Sequence, residues 1–538
     1  MNRLKLPTGI QTFEKLRKKH CVYVDKTKYF VDLIDRFDIC FFARPRRFGK
    51  SLTVTTFEAL FSGKKELFTG LYAEEFLNRP DFESSPVIRL DMSSVTTDAG
   101  IDTLKDSIKQ LVLEVADKLN IELPQKDLPE GDLLRKLIIN TANKYERKVV
   151  ILLDEYDKPY TDFVNDTDMA EKVRNVLRSF YIQIKSNDEY IRFTFITGIS
   201  KFAKFGVFST LNTPKDISLM PEYAAMCGYT EEEIIRYFPD YLEDTAKYMR
   251  ITTDELIEKM RRYYNGFSFA FDTSVCLYNP YSTLSFFEDK EFLNYWIDTG
   301  KPKFIAEYMK NRHLTVEQFQ NLSISKDFAR SPGDVDSAPP EGFLYQSGYL
   351  TLRPGNRDEL SLDYPNTEVL NSMSSLLAQN ILAKDMTNIR RNLFTALDEN
   401  NIDNLVEQLN RLLASIPYDD YSDAAQDSVR NKGYHFSALE CIYRSSIFCY
   451  MQGCGVVIQA EMHNHLGRPD LVITYKGKIW VIEIKVAFEG QSAASKADEG
   501  MKQIIKQQYA KPYPNALCIS LGIDDSQRQI TVYRKKIP

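Results

Sequence analysis

Asp470, Glu483 and Lys485 are the residues of this chain whose types and spacing best suit chemistry on a phosphodiester. They lie in GRPDLVITYKGKIWVIEIKV, residues 467–486. Two β-branched or aliphatic runs there, Leu471–Thr474 and Ile479–Val486, flank the turn signal Tyr-Lys-Gly-Lys. With Lys476-Gly477 as a two-residue loop, Tyr475 pairs with Lys478; a four-residue loop over Tyr475–Lys478 keeps the same register. Asp470 then falls opposite Glu483, the two side chains roughly 5 Å apart on one face, with Lys485 two residues on and on that same face. Two neighbouring carboxylates repel unless a cation lies between them, and hard oxygen ligands suit Mg²⁺ or Mn²⁺. A lysine beside such an ion would hold a scissile phosphate or orient the attacking water. The alternative is the solvated face of an edge hairpin. Against it, Val472 and Val481 accompany the carboxylates while Leu471, Ile482, Ile473 and Trp480 fill the other face. Both faces read as buried, so charges clustered at one end call for a reason.

The elements that must position this hairpin follow from the surrounding pattern. The spacing predicts a helix over Tyr434–Met451, a strand at Val456–Glu461, and then the hairpin. A helix around Ala494–Tyr509 and strands at Ala516–Leu521 and Gln529–Tyr533 complete the segment. That α-β-β-β-α-β succession with D…E-x-K resembles the PD-(D/E)XK nuclease superfamily. The resemblance implies that Asp470 and Glu483 ligate the metal, that Lys485 assists hydrolysis, and that Gln503 takes the place of a glutamine many members carry on the following helix. The chain departs from the relatives at the first helix, where Asn431-Lys432-Gly433 precede Tyr434-His435 instead of a glutamate. That acid is either absent or replaced by Glu440 or Glu461, which leaves one or two metals open.

A second constellation lies near the N-terminus. Asp38–Ala43 is an apolar strand, followed by RPRRFGKSL (44–52) and a helical stretch to about Phe61. Gly49-Lys50-Ser51 matches the second half of a Walker A loop, which cradles phosphates with backbone N–H groups and a lysine and offers a hydroxyl to Mg²⁺. Arg44 stands where that pattern has its first glycine, and alone the match reads equally as an ordinary helix start. Val149–Leu153 ends in Asp154-Glu155, the apolar-then-acidic order of Walker B, in which Asp154 would hold Mg²⁺ and Glu155 would polarise the attacking water. Another buried-type run, Ile191–Ile196, ends in Thr197, placed to sense a γ-phosphate. The Val87–Asp91 strand and the helical region Ile101–Tyr145 separate the two motifs, a spacing that suits NTPases with an extra strand between them.

Together, VYVDKTKYF (22–30), RPRRFGKSL (44–52), LLDEYDKPY (152–160), FITGISKF (195–202), YYNGFSF (263–269) and YNPYSTL (278–284) resemble one family. It is the bacterial and archaeal AAA-ATPase-like family whose members end in a PD-(D/E)XK nuclease domain, and the resemblance covers nearly the whole chain. The arginine in place of the first glycine belongs to the family pattern. Arg46 and Arg47 are natural partners for phosphate oxygens, or else a solvated basic loop. YYNGFSF and YNPYSTL read as core and turn rather than cofactor contacts.

At 538 residues the chain is too long for one core. The expected fold class is α/β: a P-loop NTPase-like parallel sheet over residues 1–220, then a helix-rich lid or middle region with short β elements over 221–365. A helical linker over 366–428 and a restriction-endonuclease-like α/β domain over 429–538 complete it. Within the middle region a helix starts at Thr230–Glu233, and Ser331-Pro332-Gly333 with Pro339-Pro340 mark a loop before β elements at Phe343–Leu352 and Leu360–Leu362. Helices over about Thr367–Ser415 and an acidic loop at Pro417–Asp427 lead to the last domain. No apolar run is long enough to span a bilayer and the first residues lack a signal-peptide core, so no membrane partner is expected. The eight cysteines include no C-x-x-C pair, and Cys40, Cys441 and Cys518, in apolar segments, read as reduced core residues of a cytoplasmic protein. His463 and His465 near Glu461 read as loop residues rather than a zinc site. A net charge of −6 excludes a protein coated in basic charge but permits a local basic groove.

The expected function is an ATP-binding and ATP-hydrolysing protein coupled to metal-dependent cleavage of nucleic acid, with ATP and Mg²⁺ as cofactors and Mn²⁺ as a substitute at the nuclease site. An oligomer is open. Two other classes compete: a nucleotide-switched regulator or scaffold whose nuclease-like domain only binds nucleic acid or a partner, and an ATPase that remodels protein.

Overall fold

The computed structural model describes the chain apart from residues 1–2, 98–99, 124–127, 164–165, 200–213, 299–318, 331–338, 356–358, 383–386, 415–436, 455, 461–468, 489 and 537–538. Several sequence expectations lie outside the described residues: Lys201-Phe202, Ser331-Pro332-Gly333, the Pro417–Asp427 loop, Asn431–His435, Glu461, His463 and His465. The chain divides into two compact units. One comprises Met1–Trp296 and Asn321–Thr367, the other Ile297–Gln320 and Glu368–Pro538.

The first unit is built on five parallel strands: β1 (Ile39–Ala43), β2 (Val87–Asp91), β3 (Val149–Asp154), β4 (Ile191–Gly198) and β5 (Lys215–Asp216), in the order β2-β3-β4-β1-β5. Parallel strands require crossovers that cover both faces, so central strands lose their alternation. β3, with VVILLD buried throughout, shows this. Helices Ile101–Lys118, Glu130–Tyr145 and Thr167–Ser186 share a core with Phe41, Ile88, Leu90, Ile151 and Leu153. Leu104, Ile108, Val112 and Val115 give the first of them its apolar stripe. On the other face the helix Lys50–Phe61 packs Phe57 4.9 Å from Phe195 and Phe61 5.4 Å from Phe193.

Beyond the sheet, Thr230 and Glu233 form a reciprocal capping box that opens the helix Glu231–Tyr237. Short strands β6 (Leu322–Ile324), β7 (Thr351–Pro354) and β8 (Leu360–Asp363) make an antiparallel sheet in the order β6-β8-β7. The β element expected from Phe343 onward is corrected here: Pro340–Ser347 is a helix, and the strand starts only at Thr351. Pro340 supplies the preset φ of a first helical position, and Gly348, at φ 88°, ends the helix in the left-handed conformation.

The second unit centres on a mixed sheet of β9 (Val457–Ala460), β10 (Leu471–Tyr475), β11 (Lys478–Ala487), β12 (Leu517–Asp524) and β13 (Gln529–Lys536), ordered β13-β12-β11-β10-β9. Only β11 and β12 run parallel. Helix Ala493–Lys506 makes their crossover and packs on the face of Val481 and Cys518 through Ile504. The stretch expected as a linker forms helices Thr367–Leu382, Thr387–Glu399 and Ile402–Leu413. Asn410 on the last of these holds β13 through both backbone groups of Ile530, at 2.9 and 2.7 Å. Among the described residues no helix is long and apolar enough to cross a membrane.

Candidate active sites

The register of the parallel sheet brings one set of residues to its carboxyl edge. Asp91 pairs with Asp154 at the ends of β2 and β3, and Ala43 pairs with Gly198 at the ends of β1 and β4. β4 therefore separates the strand that feeds the 44–49 loop from the strand that ends in Asp154. The loop turns sharply, with φ 68° at Arg47 and 97° at Gly49, and a Cβ on Gly49 would meet nothing within 4 Å. Gly49 thus opens the helix Lys50–Phe61 with free space before its first N–H groups.

Lys50, only 6% exposed, folds back so that Nζ donates to the carbonyls of Arg44 and Pro45, each at 2.9 Å. Burial lowers its pKa against the opposing pull of Glu155, Asp154 and Asp157. Asp154 accepts a hydrogen bond from Ser51 and, at 3.0 Å, from the N–H of Glu155. Burial raises the pKa of both Asp154 and Glu155. Glu155 itself sits at φ 48°. Asp157, overlooked in the sequence, is a third acid at this edge; it is buried and accepts the N–H of Ile199 at 3.2 Å. Its signal is its place three residues after Asp154 in LLDEYDKPY.

One expected residue sits elsewhere. Thr197 is fully buried, and its hydroxyl donates to Phe42 O at 2.8 Å, inside the sheet rather than toward a ligand. Arg46 and Arg47 are exposed, with the Arg47 guanidinium 5.0 Å from the Tyr281 ring centre. Arg44 turns inward instead. It is 1% exposed, donates to the carbonyls of Ala43, Ser218, Tyr223 and Ala224, and lies between the rings of Phe42 and Phe269. Burial pulls its pKa down to about 10. An arginine where a phosphate loop usually has glycine therefore stitches strand ends together rather than facing phosphate.

In the second unit the hairpin pairs Leu471 with Ile482, Val472 with Val481, Ile473 with Trp480 and Tyr475 with Lys478. Lys476 at φ 47° and Gly477 at φ 78° make the two-residue turn that matches strand twist. All six flanking apolar residues are buried, with Trp480 donating to Asn400 Oδ1 at 3.1 Å. Asp470, just before β10, accepts the N–H of Ile484 through Oδ2 at 2.7 Å. Glu483 is 1% exposed; Oε1 meets Lys485 Nζ at 3.0 Å and Oε2 is buried without a hydrogen-bond partner. Burial, then the nearby Asp470 charge, push the Glu483 pKa up to about 8, against the pull of Lys485. Glu440, of the two first-helix acids considered the one within the described residues, reaches this end of β11. Its Oε1 accepts the N–H of Val486 at 3.4 Å, and burial raises its pKa. One turn along the helix Ser437–Gly453, Arg444 stands 3.7 Å from Asp470 Oδ1. Sequence reading missed Arg444; its position four residues after Glu440 was the available signal. Gln503 on the crossover helix donates to Tyr509 Oη at 3.1 Å. Gly500 instead lets the crossover helix approach: a Cβ there would lie 2.3 Å from Ser520 Oγ, 3.2 Å from Lys485 Cγ and 3.4 Å from Glu483 Cγ.

Among the described residues no three acidic, histidine or cysteine side chains converge into a ready-made metal cage. An open site of one or two carboxylates is nevertheless how Mg²⁺ is usually held, with water and substrate phosphate completing the shell. The unpartnered Glu483 oxygen beside a second carboxylate fits such a cation. At the other edge, Lys50, the open Gly49 turn and the Ser51–Asp154 pair fit a phosphate chain with its Mg²⁺.

The N-terminal parallel sheet with its crossover helices is an AAA-ATPase-like domain, and the C-terminal mixed sheet is a domain of the PD-(D/E)XK nuclease superfamily. A family model described as "Predicted AAA-ATPase" matches residues 7–208, and one described as "PD-(D/E)XK nuclease superfamily" matches residues 438–530. The chain is also similar to a protein of Azotobacter chroococcum mcd 1 titled "Uncharacterized protein in vnfD 5′region". The two are 32% identical over 524 residues, which span 95% of this chain and 94% of that protein. The chain belongs to the family of AAA-ATPase-like proteins that carry a C-terminal PD-(D/E)XK nuclease-superfamily domain.

Proposed function

We propose that the protein is a cytoplasmic, metal-dependent nuclease of nucleic acid whose cutting is governed by ATP bound and hydrolysed in its N-terminal unit. The observation that carries this reading is the cluster of Asp470, Glu483 and Lys485 at one end of a buried hairpin, with a Glu483 oxygen left without a partner. Asp470 and Glu483 hold a divalent ion, Mg²⁺ or Mn²⁺. The ion supplies charge stabilisation on the phosphate and a more acidic attacking water. The Lys485 ammonium holds a non-bridging oxygen of the scissile phosphate, and Glu440 and Arg444 flank the cluster through Val486 and Asp470. At the other edge, Lys50 leaves its loop carbonyls for the β- and γ-phosphates, Ser51 and Asp154 hold Mg²⁺, and Glu155 takes the proton from the attacking water. Arg46 and Arg47, exposed beside the loop, supply further charge to the phosphates.

The test is metal binding followed by cleavage. Calorimetry on the full chain should show Mn²⁺ bound in the wild type and not in Asp470→Ala, while Lys485→Ala keeps the ion and loses cutting of single- or double-stranded substrate. Wild-type protein with neither Mg²⁺ nor Mn²⁺ at Asp470 and Glu483 would overturn the nuclease reading in favour of a nucleotide-switched binding module. Arg444 beside Asp470 and Lys485 beside Glu483 are the contacts such a module would use to neutralise the pair without a metal.

A further inference from the structure

The aromatic segments outside the ATPase-like match close around the phosphate loop. Phe48, 1% exposed, packs edge-on to Phe267 at 4.9 Å and Phe269 at 5.2 Å. Gly348, which ends the helix Pro340–Ser347, lies so near the loop that a Cβ there would sit 2.5 Å from Pro45 Cβ. The same Cβ would be 3.3 Å from the ring of Trp296. That indole stands 5.0 Å from Tyr349, and its Nε1–H donates to the carbonyl of Arg46 at 3.2 Å. The loop is thus held at Pro45 by close packing, at Arg46 by a hydrogen bond and at Phe48 by ring contacts. All of these holders lie beyond residue 208, where the ATPase-like match ends.

We propose that Trp296 is a positioning residue for nucleotide binding, fixing the main chain of the phosphate loop at Arg46. The argument rests on the nucleotide reading above. A cradle of backbone N–H groups works only if the peptide planes are already aimed, because ordering them on binding costs affinity. Three successive loop carbonyls are held in this structure: Arg44 and Pro45 by Lys50, and Arg46 by Trp296. When Lys50 turns to a phosphate, the first two lose their donor. The indole bond then remains as a hydrogen-bonded anchor on the stretch that carries the left-handed Arg47, beside the packing at Pro45 and Phe48.

The test uses the full chain with ATP–Mg²⁺ and with ADP. Trp296→Phe keeps the ring and removes the donor, and should weaken nucleotide binding about five- to tenfold by calorimetry, the worth of one hydrogen bond. The chain has two tryptophans, so Trp480→Phe leaves Trp296 as the sole indole. Its emission should shift on nucleotide addition with the midpoint that calorimetry gives, a response that a purely structural tryptophan would not show. Wild-type affinity in Trp296→Phe, or unchanged Trp296 emission at saturating nucleotide, overturns the positioning role. If Trp296→Phe does not fold, the emission of the Trp480→Phe protein decides. Absence of nucleotide binding to the wild type would instead remove the nucleotide reading itself, and the positioning role with it.

Discussion

At the carboxyl edge of the parallel sheet, Lys50 is buried among three acids and satisfied by two loop carbonyls, while Asp154 accepts from Ser51 and from the next peptide. At the hairpin of the second unit, Glu483 is as deeply buried but keeps one oxygen without a partner, and it repels Asp470 across the strand pair. At the first edge the cation is satisfied before any ligand arrives; at the second a buried carboxylate oxygen is left without a partner beside another carboxylate. A self-satisfied cation is ready to be exchanged for an anion, whereas crowded carboxylates wait for a cation. The difference implies that divalent ions alone should stabilise the second unit, and that the first should respond to nucleotide.

The largest effect should come from the packing that fixes the hairpin carboxylates in place. Trp480 fills the hairpin face opposite Asp470 and Glu483 and donates to Asn400. Trp480→Ala should cost about 3–5 kcal/mol, seen as faster hydrogen exchange across β10, β11 and β12 in the full chain. Asp470→Asn keeps a carbonyl oxygen for the Ile484 N–H while removing a charge, and should cost little or stabilise. The reverse order would mean that the carboxylates do not strain one another.

Next comes pH in the presence of EDTA. The Glu483 pKa is raised from 4.5 to about 8, so between those values the folded protein holds a proton that the unfolded chain releases. Stability from this group is full below the unfolded value and is lost as pH rises through the folded one. The charged groups that act on it are Asp470 and Lys485; Glu440 and Arg444 from the helix Ser437–Gly453 meet those two in turn. The wild type should lose on the order of 2–4 kcal/mol between pH 5 and pH 9. Glu483→Gln should flatten that slope, and Mn²⁺ should restore wild-type stability at pH 9. A flat wild-type profile would dissolve the contrast between the two edges.

A smaller effect tests how closely the crossover helix presses on the site. Gly500→Ala places a methyl against Ser520, Lys485 and Glu483, and overpacking of this kind costs about 1–3 kcal/mol. Because the clash bears on Glu483 and Lys485 themselves, Mn²⁺ affinity should fall with it. Lost stability with unchanged affinity would show that the helix supports the sheet without shaping the pocket.

The two regions also differ in how much of them could be read from the chain. The hairpin is local: its turn residues and alternating apolar positions fix the register, so Asp470 and Glu483 could be set opposite one another from the sequence. The N-terminal edge is assembled across long crossovers. That β4 rather than β2 lies beside β1 depends on packing between segments about 150 residues apart, which no local pattern carries. Arg44 was hidden for the same reason, since three of its acceptors are the carbonyls of Ser218, Tyr223 and Ala224. The helix at Pro340–Ser347 was misread because Phe343, Leu344 and Tyr345 suit a strand by composition, although Pro340 and Gly348 marked its two ends.

The smallest effect sharpens the claim that the first unit buries charge in compensated form. Two helices there begin with the same capping box, Thr230 with Glu233 and Thr252 with Glu255. Thr252 and Glu255 stand in solvent and hydrogen-bond each other. Glu233 does more: besides accepting the Thr230 N–H at 2.9 Å, it holds the buried Lys26 ammonium with both oxygens at 2.6 Å. Thr252→Ala should cost about 0.5–1 kcal/mol, the ordinary worth of an exposed cap. Thr230→Ala frees the first turn that aims Glu233, so it should cost more, about 1–2 kcal/mol. In a double-mutant comparison with Lys26→Met, the Thr230 cost should shrink to the Thr252 value, because no buried ammonium then depends on where Glu233 points. Equal costs for both caps in the wild-type background would show that the Lys26–Glu233 pair holds its geometry without the helix start.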